Sequence, residues 1–104
     1  MTEECKESSE ITIIVPINAK AEFRDEVKEK LLEMTVLTNQ ETGNICYCLH
    51  QLEDDQNKFV IYEKWKDQAA LDFHMNQDYL KAFLDASKVL LAEEIRGTIC
   101  RQIT

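Results

Sequence analysis

The sequence predicts an α+β fold: a four-stranded antiparallel sheet with both helices on one face, in the chain order β-α-β-β-α-β. Three observations carry this. Runs rich in β-branched and aromatic residues occur at "ITIIVPI", "ICYCLHQL" and "KFVIYEKW", with a weaker one near the C-terminus. Helical periodicity appears between the first and second runs and again after the third. The second and third runs are separated only by "EDDQN", a break of hairpin length. A chain of 104 residues suits one domain, and at this size folding buries roughly two-thirds of the surface that the unfolded chain exposes.

Residues 1–10, "MTEECKESSE", are polar and aperiodic and read as a flexible tail, leaving 11–104 as the domain. The first strand starts at Ile11. Pro16 removes a backbone donor, which argues for a bulge or for the end of regular pairing there. From Ala21 to Gln40, Phe23, Val27, Leu31 and Met34 recur at helical spacing among charged residues, giving an amphipathic helix. Gly43 in "ETGN" follows as a turn residue that tolerates positive φ. In the next strand Ile45, Tyr47 and Leu49 alternate with Cys46, Cys48 and His50. In the third, Phe59, Ile61, Glu63 and Trp65 face one way, and Val60, Tyr62 and Lys64 the other. Asp67 is placed to cap a short helix through Met75, and Asp78 a longer one to about Leu91 whose inner stripe is Leu80, Phe83, Leu84, Ser87 and Leu90 or Leu91. The remainder, "EEIRGTICRQIT", reads as a last strand with Ile95, Ile99 and Ile103 in phase and Gly97 weakening it.

With both helices on one face, the other face exposes some combination of Ile14, Cys46, Cys48, Val60, Tyr62 and Cys100, more apolar surface than a monomer leaves wet. The expected assembly is a homodimer with the two sheets face to face. A formal charge of −8 repels phosphate backbones and anionic lipid surfaces, so neither nucleic acid nor a membrane is an expected partner. The N-terminus lacks the basic and apolar regions of a signal peptide, which points to the cytoplasm. Four cysteines there read as free thiols. Cys46, Cys48 and His50 share a strand face as some metal ligands do, but no fourth ligand sits at a telling spacing, and no metal site is expected.

"ITIIVPINAK", "ETGNICYCLHQ" and above all "FVIYEKWKDQAALDFHMNQDYLKAF" resemble the antibiotic biosynthesis monooxygenase domain, with its E-x-W strand end (Glu63, Trp65) and the A-L-x-x-H helix that follows (Ala70, Leu71, His74). The similarity spans about residues 11–100. It implies a dimeric α+β barrel of ferredoxin-like subunits. It also implies a cofactor-independent monooxygenase that oxidises a quinol or polycyclic phenol with dioxygen. Relatives that degrade haem carry an iron-binding histidine on the later helix, and "YLKAFLDASKVLL" has none. Two further readings stay open. One is an isomerase of a small phosphorylated hydroxyketone, for which Lys64, Lys66 and the helix start at Asp67 offer a phosphate site. The other is a non-catalytic dimeric module that binds a small ligand or serves in stress.

A deprotonated quinol or phenol passes an electron to dioxygen directly, so the protein need only bind it, take its proton and exclude water. An imidazole titrates near pH 7 and suits the proton step, which makes His74 the candidate base. Glu63 shares a strand face with Trp65, beneath the helix that carries His74, and is the candidate partner that orients the ring. Trp65 and Tyr47 would supply aromatic walls for a small aromatic or quinol-like substrate, and Phe59, Ile61, Leu71 and Phe83 a dry lining. A tryptophan at a strand end, or a helix-borne histidine beside Phe73 and Met75, serves ordinary packing just as readily.

Overall fold

Ile13, Val15 and Ile17 alternate with Thr12, Ile14 and Pro16; in the computed structural model, which describes residues 9–104, this alternation becomes strand β1 (Ile11–Asn18), with the first set buried. Residues 1–8 of the expected tail lie outside the described residues. Ser9 and Glu10 are held: Ser9 Oγ donates to the Lys66 carbonyl at 2.9 Å, and Glu10 lies 3.8 Å from the Lys64 ammonium.

The hairpin joins β2 (Asn44–Gln51) to β3 (Lys58–Trp65), and β4 (Thr98–Cys100) closes the sheet in the order β2-β3-β1-β4, every pair antiparallel. This is the ferredoxin-like α+β arrangement. Pro16 does not end β1, which pairs with β3 through Asn18. On its other side β1 meets β4 only at Thr12, Ile13 and Ile14, so at Pro16 it has no neighbour there and a missing N–H is tolerated.

Three helices cover the inner face. A single 3-10 turn, Ala21–Phe23, leads into α1 (Arg24–Asn39), which buries Val27, Leu31, Met34 and Thr38. α2 (Gln68–Met75) starts where expected, with Asp67 accepting the Ala70 N–H at 2.8 Å. α3 (Asp78–Leu90) buries Leu80, Phe83, Ser87 and Leu90, but Gln77 holds its cap position. Asp78 is instead the first helical residue, where its charge still favours the positive end of the helix dipole. Trp65, Phe59, Leu31 and Val27 form the most enclosed part of the core. No helix among the described residues is long and apolar enough to cross a membrane.

Two expectations need correcting. The last strand is only three residues long, and Ile99 and Ile103 are 69% and 79% exposed. Cys100 lies opposite Thr12, one residue from the start of β1, so residues after it run past that strand and pair with no strand among the described residues. Gly43 is not at positive φ. It is needed for space: a Cβ there would lie 2.2 Å from the Cβ of Ala70. The turn before β2 thus packs backbone against α2, and Lys66 N–H closes the contact by donating to the Gly43 carbonyl at 3.0 Å.

Gly43→Ala is therefore expected to destabilise the fold by ~1–3 kcal/mol through overpacking. Ala70→Gly in the same chain should restore part of the loss, as read by urea denaturation; no recovery in the double variant would show that the clash is not the cause.

Candidate active site

The sheet pleat sets the floor of the site. Tyr47, Glu63, Ile13 and Ile99 stand opposite one another across β2, β3, β1 and β4, and all four line one cavity of about 410 Å³. Ile61 and Val15, the next inward pair, extend the floor. The roof is made by Met34 of α1, Leu71 and His74 of α2, and Leu80 and Phe83 of α3. Ile99 and Gly97 stand on its β4 side, where the exposed Ile99 marks the mouth. No lysine or arginine is among the described residues that line it.

His74 reaches the cavity because α2 turns Leu71 and His74, one helical turn apart, toward the sheet. Its ring is only 2% exposed and lies over the Trp65 indole, with ring centroids 4.5 Å apart and planes tilted by 34°. The ring's hydrogen-bond partner is not Glu63. His74 Nδ1 lies 2.9 Å from Glu41 Oε2, and both side chains are buried. Glu41 comes from the turn after α1, where Glu41 N–H donates to the Thr38 carbonyl and Asn44 N–H donates to the Glu41 carbonyl. The same carboxylate oxygen accepts the Tyr79 hydroxyl, which also lies 3.0 Å from Thr38 Oγ1. Glu41 Oε1 is buried and has no hydrogen-bond partner among the described residues. Burial, followed by the hydrogen bond to Glu41, holds the Tyr79 phenol well above its usual range, so it stays a donor.

A carboxylate beside Nδ1 makes that nitrogen the N–H donor and leaves the Nε2 lone pair to act as a base. Nε2 has no hydrogen-bond partner among the described residues.

Glu63 was expected to orient His74. Its Oε1 instead accepts the Trp65 indole N–H at 2.9 Å, because both side chains hang from the same face of β3 two residues apart. Burial pushes the Glu63 carboxyl above the ordinary carboxylate range, opposed by the Trp65 N–H and by His74 and reinforced by the charge of Glu41. Burial and the charge of Glu63 likewise hold the Tyr47 hydroxyl in its protonated form.

Of the residues expected to contact substrate, Tyr47, Ile61, Leu71 and Phe83 line the cavity. Trp65 and Phe59 do not. Trp65 is fully buried beneath His74, so it supports the ring and the Glu63 carboxyl from behind. Phe59 sits four residues from Glu63, about 13 Å along an extended strand, and borders a separate hollow beside Ile17 and Leu52. Glu41, Tyr79 and Thr38 were not foreseen. An acidic residue in a turn and a tyrosine in the first turn of a helix carry no periodic signal that would mark them. On the outer face, Cys46 Sγ and Cys48 Sγ lie 3.3 Å apart and His50 is exposed. No group of three or more potential metal ligands occurs among the described residues.

Comparison with known proteins supplies the context. A family profile described as "Antibiotic biosynthesis monooxygenase" matches residues 10–86. YcnE of Bacillus subtilis (strain 168), a proposed monooxygenase by its name, is 34% identical over 76 residues, which is 73% of this chain and 80% of that protein. The crystal structure of PA3566 from Pseudomonas aeruginosa superposes with a TM-score of 0.87 at 26% identity, over 93% of this chain and 97% of that one. A proposed antibiotic biosynthesis monooxygenase from Nitrosomonas europaea superposes with a TM-score of 0.86 at 23% identity, over 93% of each chain, which shows a shared fold.

The raised carboxyl of Glu63 has a consequence for stability. The folded protein keeps a proton there that the unfolded chain releases near pH ~4.3, so rising pH favours the unfolded state between that value and the raised one. The contribution is complete below the unfolded pKa and is lost as pH climbs through the folded one. Glu63→Gln keeps an acceptor for the Trp65 indole but cannot ionise. Its stability should fall less than that of the parent as pH rises above the ordinary carboxylate range in thermal melts; equal falls would place the carboxyl in that range.

Proposed function

Because the chain belongs to the antibiotic biosynthesis monooxygenase family, we propose that it is a cofactor-independent monooxygenase that oxidises a quinol or polycyclic phenol with dioxygen, acting as a homodimer. The observation that carries this reading is a buried imidazole, backed by a buried carboxylate, opening on an apolar cavity large enough for a flat aromatic ring system.

The bound hydroxyl gives its proton to His74 Nε2, and Glu41 stabilises the imidazolium that forms by accepting its Nδ1–H. The phenolate or quinolate then donates an electron to dioxygen, and recombination makes a new carbon–oxygen bond. For a quinol the balance closes with one oxygen atom in a hydroxyquinone and the other in water. All four electrons come from the substrate, so no external reductant is needed. The lining of Ile13, Val15, Ile61, Leu80 and Phe83 keeps water from reprotonating the anion before oxygen reacts. A phosphorylated hydroxyketone finds no cation in the described lining.

Dimerisation is supported by the outer sheet face, where Ile14 and Tyr62 are 40% and 36% exposed beside the exposed Cys48 and the half-buried Val60 and Cys100. A second copy laid face to face would cover these together. The parent should sediment as a dimer at micromolar concentration and Tyr62→Lys as a monomer; a parent that sediments as a monomer would refute the pairing.

Activity is tested by dioxygen uptake of metal-free protein with a panel of quinols and anthrones, using labelled oxygen to follow one atom into product. His74→Ala should lower the rate by about 10²-fold or more. Uptake that is the same in the parent and in His74→Ala is background autoxidation and would reject the reading.

A further inference from the structure

One carboxylate oxygen serves two donors in this molecule. Glu41 Oε2 lies 2.9 Å from His74 Nδ1 and also accepts the Tyr79 hydroxyl, whose oxygen is itself 3.5 Å from that nitrogen. Thr38, fully buried, meets the same hydroxyl from the other side at 3.0 Å. Glu41 Oε1 has no hydrogen-bond partner among the described residues, so every donor they bring to this buried carboxylate falls on Oε2. The other titratable groups near the ring are Tyr47 of β2, Glu63 of β3 and Asp72 of α2, while α1 brings only the uncharged Met34 and Thr38. Asp72 accepts the Gln68 amide at 2.9 Å, and among the described residues none of these groups bonds a ring nitrogen of His74. Tyr79 does not line the cavity, so whatever it does for a guest it does through Glu41 and the ring.

Resting on the reading of His74 as the base and deepening it, we propose that Tyr79 is a positioning residue that sets how strongly the ring holds a proton, by sharing Glu41 Oε2 with it. A buried carboxylate whose only donor were the ring would favour the imidazolium, and a protonated Nε2 takes nothing from a guest. A phenol on the same oxygen draws off part of its negative charge. Less is then left to stabilise a positive ring, and the Nε2 lone pair stays free for a hydroxyl that enters the cavity. Tyr79 can act in this way because burial and its bond to Glu41 keep its own proton in place, so it remains a donor. The placement follows from the fold. Tyr79 is the second residue of α3, close behind the Gln77 cap, and Thr38 lies in the last turn of α1, just ahead of the turn that carries Glu41.

NMR titration of histidine-labelled protein tests this with neither ligand nor oxygen. The chain has two histidines, and His50, exposed on the outer face, serves as the internal control. Tyr79→Phe should move the His74 titration to higher pH by roughly half a unit or more and leave His50 in place. A 3-fluorotyrosine in place of Tyr79 keeps the shape and makes the phenol a stronger donor, so the His74 titration should then move to lower pH than in the parent. This second variant decides the matter where Tyr79→Phe does not fold. A purely structural role predicts that both changes disturb the ring alike. Shifts of the same sign in the two variants, or a His74 titration that neither change moves, would overturn the proposal. Oxygen uptake separates it from the activity reading: with a quinol turned over, the acid limb of the rate against pH should move with the ring. Opposite ring shifts in a protein that consumes no oxygen would reject the monooxygenase and leave the tuning by Tyr79 standing.

Discussion

The contact on which the site depends is the one between Glu41, His74 and Tyr79. A carboxylate withdrawn from water is costly unless donors meet it, and here a ring N–H and a phenol meet the same oxygen. The three residues come from the turn after α1, from α2 and from α3, and Thr38 of α1 joins them through the Tyr79 hydroxyl. One carboxylate therefore ties the helical layer together at the point where the His74 ring is held. Groups linked in this way are coupled, since removing one leaves the others short of a partner in an apolar setting. Burial pushes the neighbouring Glu63 carboxyl up, and the Glu41 charge adds to that shift.

Much of the fold was legible because its signals are local. The alternation in β1 and β3 and the stripe Val27, Leu31, Met34 report burial directly, and Asp67 is a cap whose chemistry needs only the next three residues. What failed was non-local. Gly43 was rightly singled out but for the wrong reason, since the turn needs no unusual φ; the demand comes from Ala70, whose nearness in space no local pattern states. The length of β4 is set by where β1 begins, not by the spacing of its own isoleucines.

The site divides along the same line. Strand faces put Tyr47, Ile61 and Glu63 on the cavity floor, and helical spacing put Leu71, His74 and Phe83 in its roof. Which acid serves which donor could not be read in this way. Glu63 lies two residues from Trp65 and satisfies it locally, whereas His74 finds its carboxylate 33 residues back in the chain, in a stretch that reads as solvent-facing turn. The tryptophan that drew notice as a wall is instead the plate behind the histidine, because the ring laid over it seals it from the cavity.

Register and chemistry are one problem in this molecule. Glu63 is opposite Tyr47 on one side and Ile13 on the other, and it faces the cavity only because β3 pairs with both neighbours in that alignment. A slip of β3 by one residue would turn Glu63, Ile61 and Trp65 outward and bring Tyr62 and Lys64 beneath the helices. That alternative buries an ammonium and loses the indole under His74, so it is opposed both by packing and by charge. The apolar side chains that fix the alignment are thus what place the Glu63 carboxyl on the floor of the cavity and leave the His74 ring in its roof. The position of Glu63 is set by the pairing of the sheet, and that of His74 by the buried Glu41 carboxylate that meets its ring.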